Sequence, residues 1–96
     1  MDKDSTAKRM IGGDKYSNIS SSALIKTGDG ELLGIFVASA SSTPTIKVWD
    51  NTSAATTILV NTFTPTAATW YPMPFHFTAG CYVTISGTVD CTVSYS

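Results

Sequence analysis

Among side chains able to carry catalytic or ligating chemistry, the 96-residue chain offers one histidine, two cysteines and seven carboxylates. Nucleophilic hydrolysis needs a base within hydrogen-bond reach of a hydroxyl or thiol. The sole histidine, His76, stands between Phe75 and Phe77 in a strand-like stretch. A lone imidazole there reads as a packed or surface side chain. Beyond residue 15 the carboxylates are Asp29, Glu31, Asp50 and Asp90. Asp29 and Asp50 fall at expected turns, where Asp bonds its own backbone, and Glu31 opens an expected strand. No phosphate loop or dinucleotide fingerprint is present. Zinc wants a tetrahedral set of Cys and His, and Cys81, Cys91 and His76 do not complete one. Gly28-Asp29-Gly30-Glu31 lacks the repeated Asp/Asn ligands and the length of a calcium loop. Catalysis is therefore not expected, and no metal or other cofactor is implied.

The most unusual run is Trp70-Tyr71-Pro72-Met73-Pro74-Phe75-His76-Phe77. In an extended backbone Tyr71, Met73, Phe75 and Phe77 point one way, toward a core. Trp70, Pro72, Pro74 and His76 point the other way and form a candidate partner-binding strip. Two prolines spaced two apart remove amide donors from one side, which suits an edge strand.

The elements that must position these side chains are strands. Thr, Val, Ile and aromatics recur in short runs punctuated by Gly, Pro, Asn and Asp, while helix formers are sparse. Candidate strands cover about 18–27, 31–40, 44–50, 56–62, 69–77, 81–86 and 88–95. The expected fold is all-β, a small β-sandwich or jelly-roll-like barrel of about seven to eight antiparallel strands. Residues 16–96 form this domain, and residues 1–15 form an extended N-terminal arm. The arm holds seven charged side chains, among them Lys3, Lys8 and Arg9, and almost no apolar periodicity. Lys3, Lys8 and Arg9 are candidate partner contacts.

Within the domain, Cys81, Val83 and Ile85 share one face, and so do Val89, Cys91, Val93 and Tyr95. A Ser86-Gly87 turn between them reads as a hairpin, placing the two cysteines nearly opposite each other. That geometry allows a cross-strand disulfide, but the start Met1-Asp2-Lys3-Asp4 has no apolar segment behind it, so free, buried thiols are the favoured expectation. For the same reason Asn18-Ile19-Ser20 and Asn51-Thr52-Ser53 read as incidental matches to the glycosylation pattern. Gly28-Asp29-Gly30 reads as a tight hairpin turn, and Asp50-Asn51-Thr52-Ser53 as another turn.

Charged residues make up only 14% of the chain, and 27 positions are Ser or Thr. The formal net charge of −1 gives nucleic acid or an acidic membrane no electrostatic hold. No run of about 18 apolar residues is present, so no transmembrane helix is expected. Residues 51–96 contain one ionic side chain, Asp90. Such a surface, with few charges to blunt its sheet edges, is expected to be covered in a homo-oligomer, a trimer above all, or on a larger assembly.

Three segments carry a resemblance. They are Gly30-Glu31-Leu32-Leu33-Gly34-Ile35-Phe36-Val37, Thr45-Ile46-Lys47-Val48-Trp49-Asp50, and the run from Phe77-Thr78-Ala79-Gly80 through Cys81-Tyr82-Val83-Thr84-Ile85-Ser86-Gly87-Thr88-Val89-Asp90. In this order the chain resembles small β-sandwich accessory virion proteins of tailed bacteriophages over roughly residues 30–95. Cys81 stands where that family tends to carry an aliphatic residue. The resemblance implies a non-enzymatic capsid decoration, or cement, protein. It would be made in the host cytoplasm, sit on the phage head surface and bind across junctions of the major capsid protein. The alternative expectation is a host-surface or glycan-binding module of a tail or fibre, contacting its target through Trp70, His76 and Trp49.

Overall fold

The computed structural model describes residues 15–96, and every regular element in it is a strand. There are six: β1 (Lys15–Ile19), β2 (Ala23–Thr27), β3 (Gly30–Trp49), β4 (Ile58–Phe63), β5 (Thr69–Phe77) and β6 (Gly80–Tyr95). All pairings are antiparallel. The all-β class holds, with six strands rather than seven to eight. The arm proper, with Lys3, Lys8 and Arg9, lies outside the described residues; Lys15, placed in the arm from sequence, already begins β1.

The count falls because β3 and β6 each replace two expected strands. Residues 81–86 and 88–95 do not pair with each other; both pair with β3 along its length. Gly87 adopts the turn-type conformation expected of it, with φ of 88°, but it bends β6 instead of reversing it. Opposite lies a matching corner in β3, where Ser42 and Thr43 take positive φ and the ladder skips from Ser41 to Thr45. The two long strands therefore bend together.

That bend folds the sheet into two layers. A straight 20-residue strand would span about 65 Å, yet the two ends of β3 meet the same short connection. Gly30 pairs with Phe77, and Asp50 bonds the backbone at residues 78–80. In the first layer the order is β5, residues 30–41 of β3, residues 88–95 of β6, then β1. In the second it is β4, residues 45–49 of β3, residues 80–86 of β6, then β2. The short links β1–β2 and β4–β5 cross between layers at opposite edges. The narrowest dimension, 16 Å, accommodates two sheets about 10 Å apart.

The Gly28-Asp29 turn is part of this crossing. It joins β2, in the second layer, to the first-layer half of β3, so it does not close a hairpin. The loop after Trp49 does close one, onto β4, with Asn51 bonding Ala55 O and Thr56 Oγ1.

Alternation supplies the core. Leu32, Ile35, Val37, Ile46, Val48, Phe77, Cys81, Val83, Val89, Cys91 and Val93 point inward and are buried. No polar or charged side chain is buried among the described residues. The cysteines are free, as expected, but they are not cross-strand partners. They lie ten residues apart on one strand, with Cys81 beside Lys26 in one layer and Cys91 between Val37 and Ile19 in the other. On β5, Met73 and Phe77 are buried and Tyr71 half-buried as expected, but Phe75 is 45% exposed. An extra residue at Met73-Pro74 breaks the β5 ladder, and this edge strand leaves Phe75 at the rim.

Edge protection takes a form that composition does not reveal. β4 carries two register shifts, β2 one, and β5 one together with Pro72 and Pro74. Bulges twist an edge away from an incoming strand as well as charges repel one. The edges at β2, β4 and β5 are blunted in this way, whereas β1 pairs with β6 in unbroken register.

Candidate functional site

Each layer presents an outer face whose composition follows from register. In the second layer Leu24 pairs with Tyr82, Tyr82 with Trp49 and Trp49 with Ile58. An apolar row thus crosses all four strands, and its two ends, Leu24 and Ile58, are each 45% exposed. One row along, Lys47 faces Thr84. The Lys47 ammonium sits 4.3 Å from the centre of the Trp49 ring, while Trp49 Nε1–H donates to Thr84 Oγ1 at 3.3 Å. Trp49 is thus held on both its polar and its π side, a fixed part of the face.

The first layer differs. Its central row runs Trp70, Phe36, Thr92, Asn18, and the next runs Pro72, Gly34, Ser94, Tyr16. Trp70, Phe36 and Tyr16 are exposed. The space above Gly34 is taken by the Trp70 indole: a Cβ there would collide with its Cη2 and Cζ2 atoms. Glycine thus lets the ring lie across β3. Asn18 Nδ2 donates to Asp90 Oδ1 at 2.9 Å, Cys91 O at 3.0 Å and Thr92 Oγ1 at 3.1 Å.

Of the expected strip, Trp70, Pro72, Pro74 and His76 are all exposed on β5. His76 Nε2 contacts Asp29 Oδ1 at 2.8 Å, in a pair open to solvent. Trp49, grouped with Trp70 and His76 in the glycan expectation, lies on the other layer and cannot share a strip with them. The sequence reading missed Phe36, Tyr16, Leu24 and Ile58, whereas alternation along residues 81–85 already sets Tyr82 on the outward face. A signal existed for Phe36 and Leu24, each the outward member between two inward neighbours.

The remaining polar cluster is structural. Asp50 Oδ1 accepts the backbone N–H groups of Thr78, Ala79 and Gly80 at 3.0, 2.9 and 3.4 Å, and Thr78 Oγ1 donates to Oδ2 at 3.4 Å. Burial pushes this carboxyl up, but the amides of Ala79, Thr78 and Gly80 outweigh it and hold the pKa below its ordinary value. Among the described residues no three His, Cys, Asp or Glu side chains gather to hold a metal ion.

Fold and faces together define a small two-layer antiparallel β domain whose outer faces carry few charges. No known protein family, curated protein or solved structure matches the chain.

Proposed function

We propose that this protein is a non-enzymatic accessory protein of a tailed-phage virion, a decoration protein seated on the head by its second layer. The observation that supports this reading is the uncharged row Leu24–Tyr82–Trp49–Ile58, which spans a whole sheet with both ends open to solvent. Full burial of a Leu or Ile side chain contributes about 1.5–3 kcal/mol, so covering the exposed half of each end residue contributes about 1 kcal/mol. That is weak for one copy. A trimer engaging several major capsid protein subunits multiplies it through effective concentration, and occupancy then stabilises the shell by mass action. The arm, residues 1–14 with Lys15 belonging to β1, adds Lys3, Lys8 and Arg9 as reach onto a neighbouring subunit.

Purified particles test the reading. The wild-type chain is expected on the head surface at a fixed ratio to the major capsid protein. A Leu24→Asp/Ile58→Asp double variant is expected to fold, with an unchanged circular dichroism spectrum, and to leave the head. Removing residues 1–14 is expected to lower occupancy. Absence of the wild-type protein from heads, or full occupancy by the double variant, overturns the proposal.

A further inference from the structure

We infer that the outer face of the first layer is a binding site for a neutral saccharide, with Trp70 as its stacking platform. The inference does not rest on the virion reading, which concerns the opposite face.

The two tryptophans make the contrast that carries it. Trp49 has its N–H bonded to Thr84 and its ring covered by Lys47. Trp70 is 47% exposed, lies across Gly34, and donates its N–H to no protein group among the described residues. An aromatic face carries negative charge density, to which the weakly positive C–H groups of a pyranose ring are attracted. Phe36, beside Trp70 in the same row, widens the platform.

Polar groups continue the row. Asn18 uses its amide hydrogens on Asp90, Cys91 and Thr92, which leaves Asn18 Oδ1 as an acceptor. Thr92 Oγ1 accepts from Asn18 and keeps its own proton to donate. The Asp90 carboxylate, steadied by the same amide, adds acceptor capacity at the margin. From β5 to β1 the row spans about 14 Å, with a stacking surface at one end and fixed donors and acceptors at the other. Sugar hydroxyls, each both donor and acceptor, complement that arrangement. Charge narrows the class. Among the described residues the ionic groups of this face are the carboxylates of Asp90 and Glu31, with the exposed His76–Asp29 pair at its β5 end, so acidic glycans and phosphates meet mostly repulsion. A protein partner suits the continuous apolar row of the other layer better than this half-polar one.

The test uses the full chain on an array of neutral, sialylated and sulfated oligosaccharides, followed by titration with the best neutral binder. Retention is expected for neutral glycans only. In the titration the Trp70 indole N–H resonance should move while that of Trp49 stays in place. Trp70→Ala should weaken binding at least tenfold, and Trp70→Phe, which keeps a ring, should weaken it less. Retention of no neutral glycan overturns the inference, as does binding that survives Trp70→Ala. So does self-association or head attachment lost in Trp70→Ala, which would assign the face to protein. The Leu24→Asp/Ile58→Asp variant, altered on the other layer, should bind glycan normally and so separates failure of this site from failure of the docking face.

Discussion

Asp50 Oδ1 accepts the Ala79 backbone N–H at 2.9 Å, fastening the end of β3 to the turn that joins β5 and β6. The bond closes the fold, because the same turn follows Phe77, the partner of the opposite end of β3.

Replacing Asp50 with Ala should therefore destabilise the domain, by about 1–3 kcal/mol for amides left without their charged acceptor. Its pKa is lowered in the folded state, so its stabilisation is full above the unfolded value near 3.8 and is lost as pH falls through the folded value. Denaturant unfolding between pH 7 and pH 2 checks this. Asp50→Asn should remove part of the acid-induced loss seen in the wild type.

The corner makes a second prediction through two glycines with nearly equal φ, Gly28 at 87° and Gly87 at 88°. A Cβ at Gly28 meets nothing within 4 Å, whereas one at Gly87 would come within 2.8 Å of the Pro44 backbone. Gly28→Ala should cost only the conformational strain, about 1 kcal/mol. Gly87→Ala should cost more, because the strands must also part at their bend. Thermal unfolding of the two variants separates strain from collision.

Local pattern revealed much of this domain. The inward sets around Cys81 and Cys91, the edge position of β5 and the loop after Trp49 all follow from alternation, proline and turn chemistry. Gly87 shows where local pattern stops. Positive φ serves a reversal and a bend equally well, and the choice depends on whether residues 81–86 pair with 88–95 or with β3. The outer rows were hidden for the same reason. Trp70, Phe36, Thr92 and Asn18 come from four strands, and the register shifts between Leu32 and Gly34 and between Val37 and Ser39 decide which residues meet.

Strand β5 tests the core through two phenylalanines two residues apart. Phe77 is fully buried and Phe75 is at the rim. Phe77→Ala should cost about 3–5 kcal/mol, enough to unfold a marginal domain. Phe75→Ala should cost about 1 kcal/mol. Comparable losses at both positions would contradict the placement of Phe75.

The thiols give the alkaline counterpart of the Asp50 effect. Burial, with a smaller contribution from the Asp50 charge, pushes Cys81 up to about 12; burial and then Asp90 push Cys91 up to about 11. In the unfolded chain both ionise near 9.0, so above that pH the unfolded state loses protons that the folded state keeps. Stability should fall as pH rises above about 9, and a Cys81→Ala/Cys91→Ala variant, though less stable overall, should show a flatter alkaline limb. Native protein should also resist alkylation at pH 8, since the thiolate is the nucleophile and neither sulfur is exposed. Mass spectrometry after iodoacetamide should find both cysteines unmodified in buffer and both modified in denaturant. Rapid labelling of either one in the native state would place it outside the core.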